Sequence, residues 1–115
     1  MRGLTIDSRQ LSNGWLVIAV QGEVDLATVD DLRGAIDQAV GGGSSSVAID
    51  LTDATFMDST GLKALVMAHR QFDEDGKSFA IVVAGGPVSR LIDLSGVNTT
   101  IRTVPTLDEL EAEGV

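Results

Sequence analysis

Short apolar runs rich in β-branched residues alternate along this chain with segments whose apolar residues recur every three or four positions. The first pattern fits strands and the second fits one face of a helix. This alternation limits the fold more than any other feature. Strands separated by helices must layer those helices against a sheet, and right-handed crossovers restrict the winding. Residues 4–9 alternate loosely, and residues 15–20 read WLVIAV after a Ser-Asn-Gly turn at 12–14, which predicts a hairpin. From Leu26 the period changes, and Val29, Leu32, Ile36, Ala39 and Val40 mark one helical face. Asp25 is placed to cap that helix and Gly41 to stop it. Residues 47–51, VAIDL, form a short strand. A second helix starts near Ser59, carries Leu62, Leu65, Val66 and Phe72 on one face, and ends at Gly76. The unbroken run FAIVVA, residues 79–84, predicts a strand covered on both faces. Pro87 opens a third helix bearing Val88, Leu91 and Ile92, with Gly96 past its end. Residues 101–104 suit a last short strand. Thr106 and Glu109 make a capping-box pattern ahead of a terminal helix bearing Leu107 and Leu110. The predicted order is β-β-α-β-α-β-α-β-α: an α/β fold with a mixed sheet of about four to five strands layered with about four helices.

The 115 residues suit one domain, spanning 1–115. The GGGSSS patch at 41–46 is too short for an interdomain linker and reads as a loop. A net charge of -9 repels phosphate backbones and anionic lipid, so neither nucleic acid nor a membrane surface is an expected partner, and it suits a monomer. The absence of cysteine excludes disulfides, iron–sulfur clusters and thiol chemistry. A single histidine argues against a histidine-based zinc site. No apolar run approaches the ~20 residues of a membrane helix. The opening MRGLTIDSRQ lacks the apolar stretch of a signal peptide, so a cytoplasmic location is expected.

Several catalytic patterns fail on a named residue. Gly76-Lys77-Ser78 resembles the end of a phosphate-binding loop, but the glycine needed five positions earlier is Gln71. Gly41 and Gly43 begin a dinucleotide fingerprint whose last position is Ser46, and they follow a helix where such a site follows a strand. Ser59 sits between strand and helix, as a nucleophile elbow does, with Gly61 in place but Met57 where the other glycine belongs. His69 lies ten residues along the same helix, roughly 15 Å from Ser59, too far to act as its base. Lys63, one turn from Ser59, is expected to face solvent.

The segment from Phe56 to Leu62 remains. Asp58 or Ser59 can serve simply as the helix N-cap. A helix N-terminus also favours anions through its unpaired N–H groups. A serine hydroxyl at such a loop tip is a good acceptor for a protein kinase, and a phosphate there adds about -1.5 to -2 charge. Asp58, and Asp25 if it is near, would make the local field still more negative. A switch built this way acts by repulsion at an interface, with little change of fold.

Three stretches in register resemble the STAS domain of the bacterial anti-sigma factor antagonists. They are Gly22-Glu23-Val24-Asp25, the run from Asp50-Leu51 to Phe56-Met57-Asp58-Ser59-Thr60-Gly61-Leu62, and the run from Val88-Ser89-Arg90-Leu91 to Gly96-Val97. The resemblance spans about residues 4–112 and implies a partner-switching regulator of transcription without catalysis of its own. In that family the unmodified antagonist binds an anti-sigma factor that is also a serine kinase, which frees the sigma factor. The kinase phosphorylates the serine after the Asp, here Ser59, with ATP that it binds itself, and the antagonist lets go. A metal-dependent serine phosphatase resets it. The resemblance thus implies no cofactor on this chain and a partner-binding set of Asp25, Met57, Asp58, Ser59, Thr60 and Gly61. Thr60 stands where many relatives have a second serine, and Ser59 takes precedence because it directly follows the Asp. Asp25 either orients the hydroxyl or contacts the kinase, or it is a plain helix cap. Gly61 keeps backbone close behind the hydroxyl. Phe56 and Met57 are expected to pack as loop anchors, with Met57 also able to serve the interface. STAS domains also serve as scaffolds or as regulatory subunits of transporters and stress-signalling assemblies. That alternative does not need a phosphorylatable serine.

Overall fold

A computed structural model describes residues 3–112. Strands β1 (Thr5–Gln10) and β2 (Leu16–Val24) form the predicted hairpin, closed by a turn in which the Gly14 N–H donates to the Leu11 carbonyl. The chain continues through α1 (Val29–Gly41), β3 (Ser46–Asp50), β4 (Ala54–Met57), α2 (Ser59–Glu74) and β5 (Ser78–Val82). It ends with α3 (Gly86–Ser95), α4 (Val97–Thr100), β6 (Arg102–Val104) and α5 (Leu107–Glu111). The sheet order is β1-β2-β3-β5-β6, with β4 paired to β2 outside that path. β1 is antiparallel to β2, and the other pairings are parallel, so the sheet is mixed as expected.

Side chains alternate across the sheet, and both faces are covered. Ile18, Val47, Ile49, Phe79 and Ile81 face a core closed by Leu32 and Ile36 of α1, Leu65 and Phe72 of α2, and Val88 and Ile92 of α3. Val17, Ala48, Ala80 and Val82 face the opposite way, under Trp15, Leu11 and Leu110. Trp15 shares this cluster with Ala48 and Ala80, and Asn13 Nδ2 donates to the Leu110 carbonyl at 2.7 Å, tying α5 to the hairpin turn.

Three local expectations are corrected. Residues 54–57 form a strand rather than a loop, and α4 is an additional short helix. Helix α1 starts at Val29, so Asp25 caps the turn that precedes it instead of the helix. Thr106 stands at the N-cap of α5 but makes no side-chain cap bond there, so the capping box is not formed.

Strand β2 pairs with β3 over Leu16–Ala19 and with β4 over Gly22–Val24, and this second ladder shifts register between Gly22 and Glu23, where Thr55 of β4 is passed over. Gly22 stands at that irregularity. Its φ is 114°, a region that side chains disfavour, and a Cβ there would lie 3.1 Å from the Gly3 carbonyl oxygen. Gly22→Val is therefore expected to destabilise the fold by about 1–3 kcal/mol. Urea denaturation followed by circular dichroism reads this as a lower midpoint with an unchanged slope.

Candidate functional site

The site is built where β2 and β4 end side by side. Val24 pairs with Met57 in parallel register, and the Asp58 N–H donates to the Val24 carbonyl at 3.2 Å. The loop carrying Asp25 and the loop carrying Asp58 and Ser59 thus leave the sheet from adjacent positions. Sequence spacing places these residues more than thirty apart, and the parallel pairing brings them together.

Asp58 is the N-cap of α2. Its Oδ1 accepts from the Thr60 N–H at 2.9 Å and the Gly61 N–H at 3.3 Å. Either Asp58 or Ser59 could have filled this role on sequence grounds, and the backbone decides it. Asp58 is extended, with φ -107° and ψ -172°, while Ser59 is the first helical residue. Capping by Asp58 frees Ser59 from structural duty. The Ser59 side chain is exposed, and it forms no hydrogen bond among the described residues. Thr60 is half-buried. Lys63 is exposed, as expected. His69 is half-buried on α2 beside the Phe79 ring, and its Nδ1 finds no hydrogen-bond partner among the described residues.

Gly61 lets the first turn of α2 pack closely on Met57. A Cβ on Gly61 would meet Met57 Cγ at 2.7 Å and Val24 Cγ1 at 2.9 Å. The first turn of α2 therefore rests directly on the Val24–Met57 pair, and only glycine permits that approach. Met57 is 5% exposed, so its side chain belongs to the core. Phe56, expected to pack as an anchor, projects from the other side of β4 and is 46% exposed.

The Asp25 loop is held by a residue that sequence reading passed over. Thr28 is 3% exposed, and its hydroxyl accepts from the Asp25 N–H at 3.0 Å while donating to the Glu23 carbonyl at 2.7 Å. Asp25 Oδ1 accepts from the Ala27 N–H at 3.0 Å. Asp and Thr side chains that bond the nearby backbone are recognised turn formers, but the apolar period beginning at Leu26 reads as helix and masks them. The loop is therefore a hydrogen-bonded turn that holds Asp25 at the end of β2.

Among the described residues, no group of three or more His, Cys, Asp or Glu is placed to hold a metal, and no helix is long and apolar enough to cross a membrane. A groove of about 420 Å³ runs between α1 and α2 over Ile36, Ala64 and Ala68, and Ser59 does not line it. Ser59 is exposed beside the Asp58 carboxylate that caps the helix.

The chain combines a mixed sheet, with α1, α2 and α3 on one face and α5 on the other, and an exposed serine after the Asp that caps α2. The chain belongs to the STAS domain family, whose model matches residues 7–110. It is 34% identical over 97 residues to the anti-sigma-F factor antagonist RsfB of Mycobacterium tuberculosis, covering 84% of this chain and 79% of the relative. It is 31% identical over 85 residues to the anti-sigma F factor antagonist of Paenibacillus polymyxa, covering 73% of each. Among solved structures, an anti-sigma factor antagonist from Mycobacterium paratuberculosis superposes with a TM-score of 0.88 at 30% identity, over 96% of this chain and 93% of that one.

Capping and charge at Asp58 can be separated. Asp58→Ala is expected to cost about 0.5–2 kcal/mol, while Asp58→Asn, whose amide oxygen still caps, stays close to the native stability. Thermal melts of the two variants against the parent check this.

Proposed function

We propose that this chain is an anti-sigma factor antagonist whose unmodified form binds an anti-sigma factor with serine kinase activity and thereby frees a sigma factor. The single observation that carries the reading is the division of roles between Asp58 and Ser59. The carboxylate holds the helix, and the hydroxyl beside it stands exposed and unbonded. The relatives named as anti-sigma factor antagonists support the same reading.

In this reading Ser59 Oγ attacks the γ-phosphorus of ATP held by the partner. The bond to the β–γ bridging oxygen breaks, ADP leaves, and the hydroxyl proton passes to a base on the partner. This chain supplies the acceptor and binds no cofactor. The exposure of Ser59 against the half-buried Thr60 favours Ser59 as the acceptor. Asp58 already occupies the N–H groups of Thr60 and Gly61, so a phosphate on Ser59 gains little from the helix N-terminus. It adds about -1.5 to -2 charge beside a carboxylate, and repulsion then acts across the interface. A serine phosphatase restores the hydroxyl. The chain works in the cytoplasm as a monomer, without nucleic acid or membrane contact.

Two substitutions test the switch. Ser59→Ala is expected to bind the anti-sigma factor and stay bound when ATP is added. Ser59→Asp is expected to bind at least tenfold more weakly, with an unchanged circular dichroism spectrum. Titration calorimetry with and without ATP, with mass spectrometry of the product, reads both. Release of the alanine variant by ATP, or parental binding by the aspartate variant, overturns the proposal.

A further inference from the structure

Strand β1 is an edge of the sheet. It pairs with β2 on one side and with no strand on the other among the described residues. It keeps an unbroken antiparallel register with β2, and all of it but Ile6 is exposed. Just past the strand, the Leu11 N–H donates to the Trp15 carbonyl. Bonds in an antiparallel ladder fall on alternate residue pairs, so Thr5, Asp7 and Arg9 bond to β2. Ile6, Ser8 and Gln10 then turn their N–H and C=O groups to the free edge. Such an edge is a template for another strand, and proteins commonly block it with proline or a bulge. Strand β1 has neither.

A groove of about 470 Å³ separates this edge strand from α1. Leu4, Ile6 and Ser8 form its strand wall. Asp30, Asp31, Gly34, Ala35 and Gln38 form its helix wall. Strands β2 and β3 are parallel and joined through α1, so α1 runs against both and in the same direction as β1. The step from Leu4 to Ser8 covers about 13 Å of strand, and that from Asp30 to Gln38 about 12 Å of helix. The two walls therefore match in length, with the carboxylates at the Leu4 end and the Gln38 amide at the Ser8 end. Gly34 lies inside α1, where glycine is weaker than alanine. A Cβ there would meet nothing within 4 Å, so packing does not require the glycine, whereas an open groove does.

Both charged residues in the groove wall are acidic. Asp30 meets Arg33 at 3.6 Å in an exposed pair, and Arg33 lines the other groove, on the α2 side of α1. Asp31 has no ion pair among the described residues. We infer that β1 and this groove take an extended peptide segment of a partner protein as an added strand, with apolar side chains over Ile6 and Ala35 and a lysine or arginine beside Asp31. The free edge supplies backbone bonds, and the groove reads every second side chain. The carboxylates select a basic residue at one end. A second copy of this chain fits less well, because antiparallel pairing through β1 would bring Leu4, Ile6 and Ser8 to the same face and no cation to the carboxylates. Helix α1 separates the groove from α2, so this inference goes beyond the proposed function and does not depend on it.

The test selects a displayed library of random dodecapeptides against the full chain and measures a synthetic consensus peptide by fluorescence anisotropy. Enriched peptides are expected to alternate apolar and polar residues and to carry Lys or Arg toward one end. Ser8→Pro removes an outward N–H and no bond to β2, a place where an edge strand tolerates proline. Ser8→Pro and Asp31→Lys are each expected to raise Kd by roughly tenfold or more. Asp37→Lys makes the same charge change on the α2 side of α1 and is expected to bind as the parent does, as is Ser59→Asp. Amide hydrogen exchange is expected to slow at Ile6, Ser8 and Gln10 when the peptide is bound. Circular dichroism checks the fold of each variant, and Asp31→Lys with the exchange pattern decides the matter should Ser8→Pro fail to fold. Three results overturn the inference: no enriched peptide, parental affinity in a folded Ser8→Pro or Asp31→Lys variant, or sedimentation showing that β1 pairs with a second copy in place of the peptide. None of them touches the Ser59 switch, which its own variants test.

Discussion

The parallel pairing of the last residues of β2 with β4 is the constraint on which the site depends. It is three residue pairs long, and its continuation is the hydrogen bond from the Asp58 N–H to the Val24 carbonyl. Without it, the Asp25 turn and the start of α2 would be two unrelated loops. Two glycines make it possible for different reasons. Gly22 takes a left-handed backbone conformation at the irregularity of the β2–β4 ladder. Gly61 lets the first turn of α2 sit directly on the Val24 and Met57 side chains. Both belong to stretches that carry the family resemblance, and both act on the backbone.

The electrostatics of the α2 N-terminus follow from who caps it. An anion is favoured there by the unpaired N–H groups and the helix dipole, and the Asp58 carboxylate already fills that place. A second negative group on the neighbouring hydroxyl meets a carboxylate where an empty N-terminus would have welcomed it. The fold gives such a group little compensation, so its cost falls on whatever is docked against the surface. This is how a local change of charge can alter an association without altering the fold.

The large elements were legible because their patterns are long. Val29, Leu32 and Ile36 mark α1, and Leu65 and Phe72 mark α2, at helical spacing, and these residues are the core-facing ones. Strand β4 was not legible. Its four residues, Ala54 to Met57, are too few to show a period, and Phe56 and Met57 read as one apolar pair although they point to opposite sides. Asp25 was read as a helix cap because an Asp ahead of a periodic segment commonly is one. The bonds to Thr28 and Ala27 show a turn inserted before the helix. In each case a short-range signal was decided by hydrogen bonds whose partners the local sequence does not reveal.

The sequence by itself determined the α/β alternation, the family and the residue types of the site, because periodicity and motif order are properties of the linear chain. Only the tertiary structure decided that Asp58 rather than Ser59 caps α2, that Met57 is buried while Phe56 is exposed, and that the Asp25 turn stands beside Ser59. Those outcomes depend on strand register, where a shift of one residue turns each side chain to the other face of the sheet.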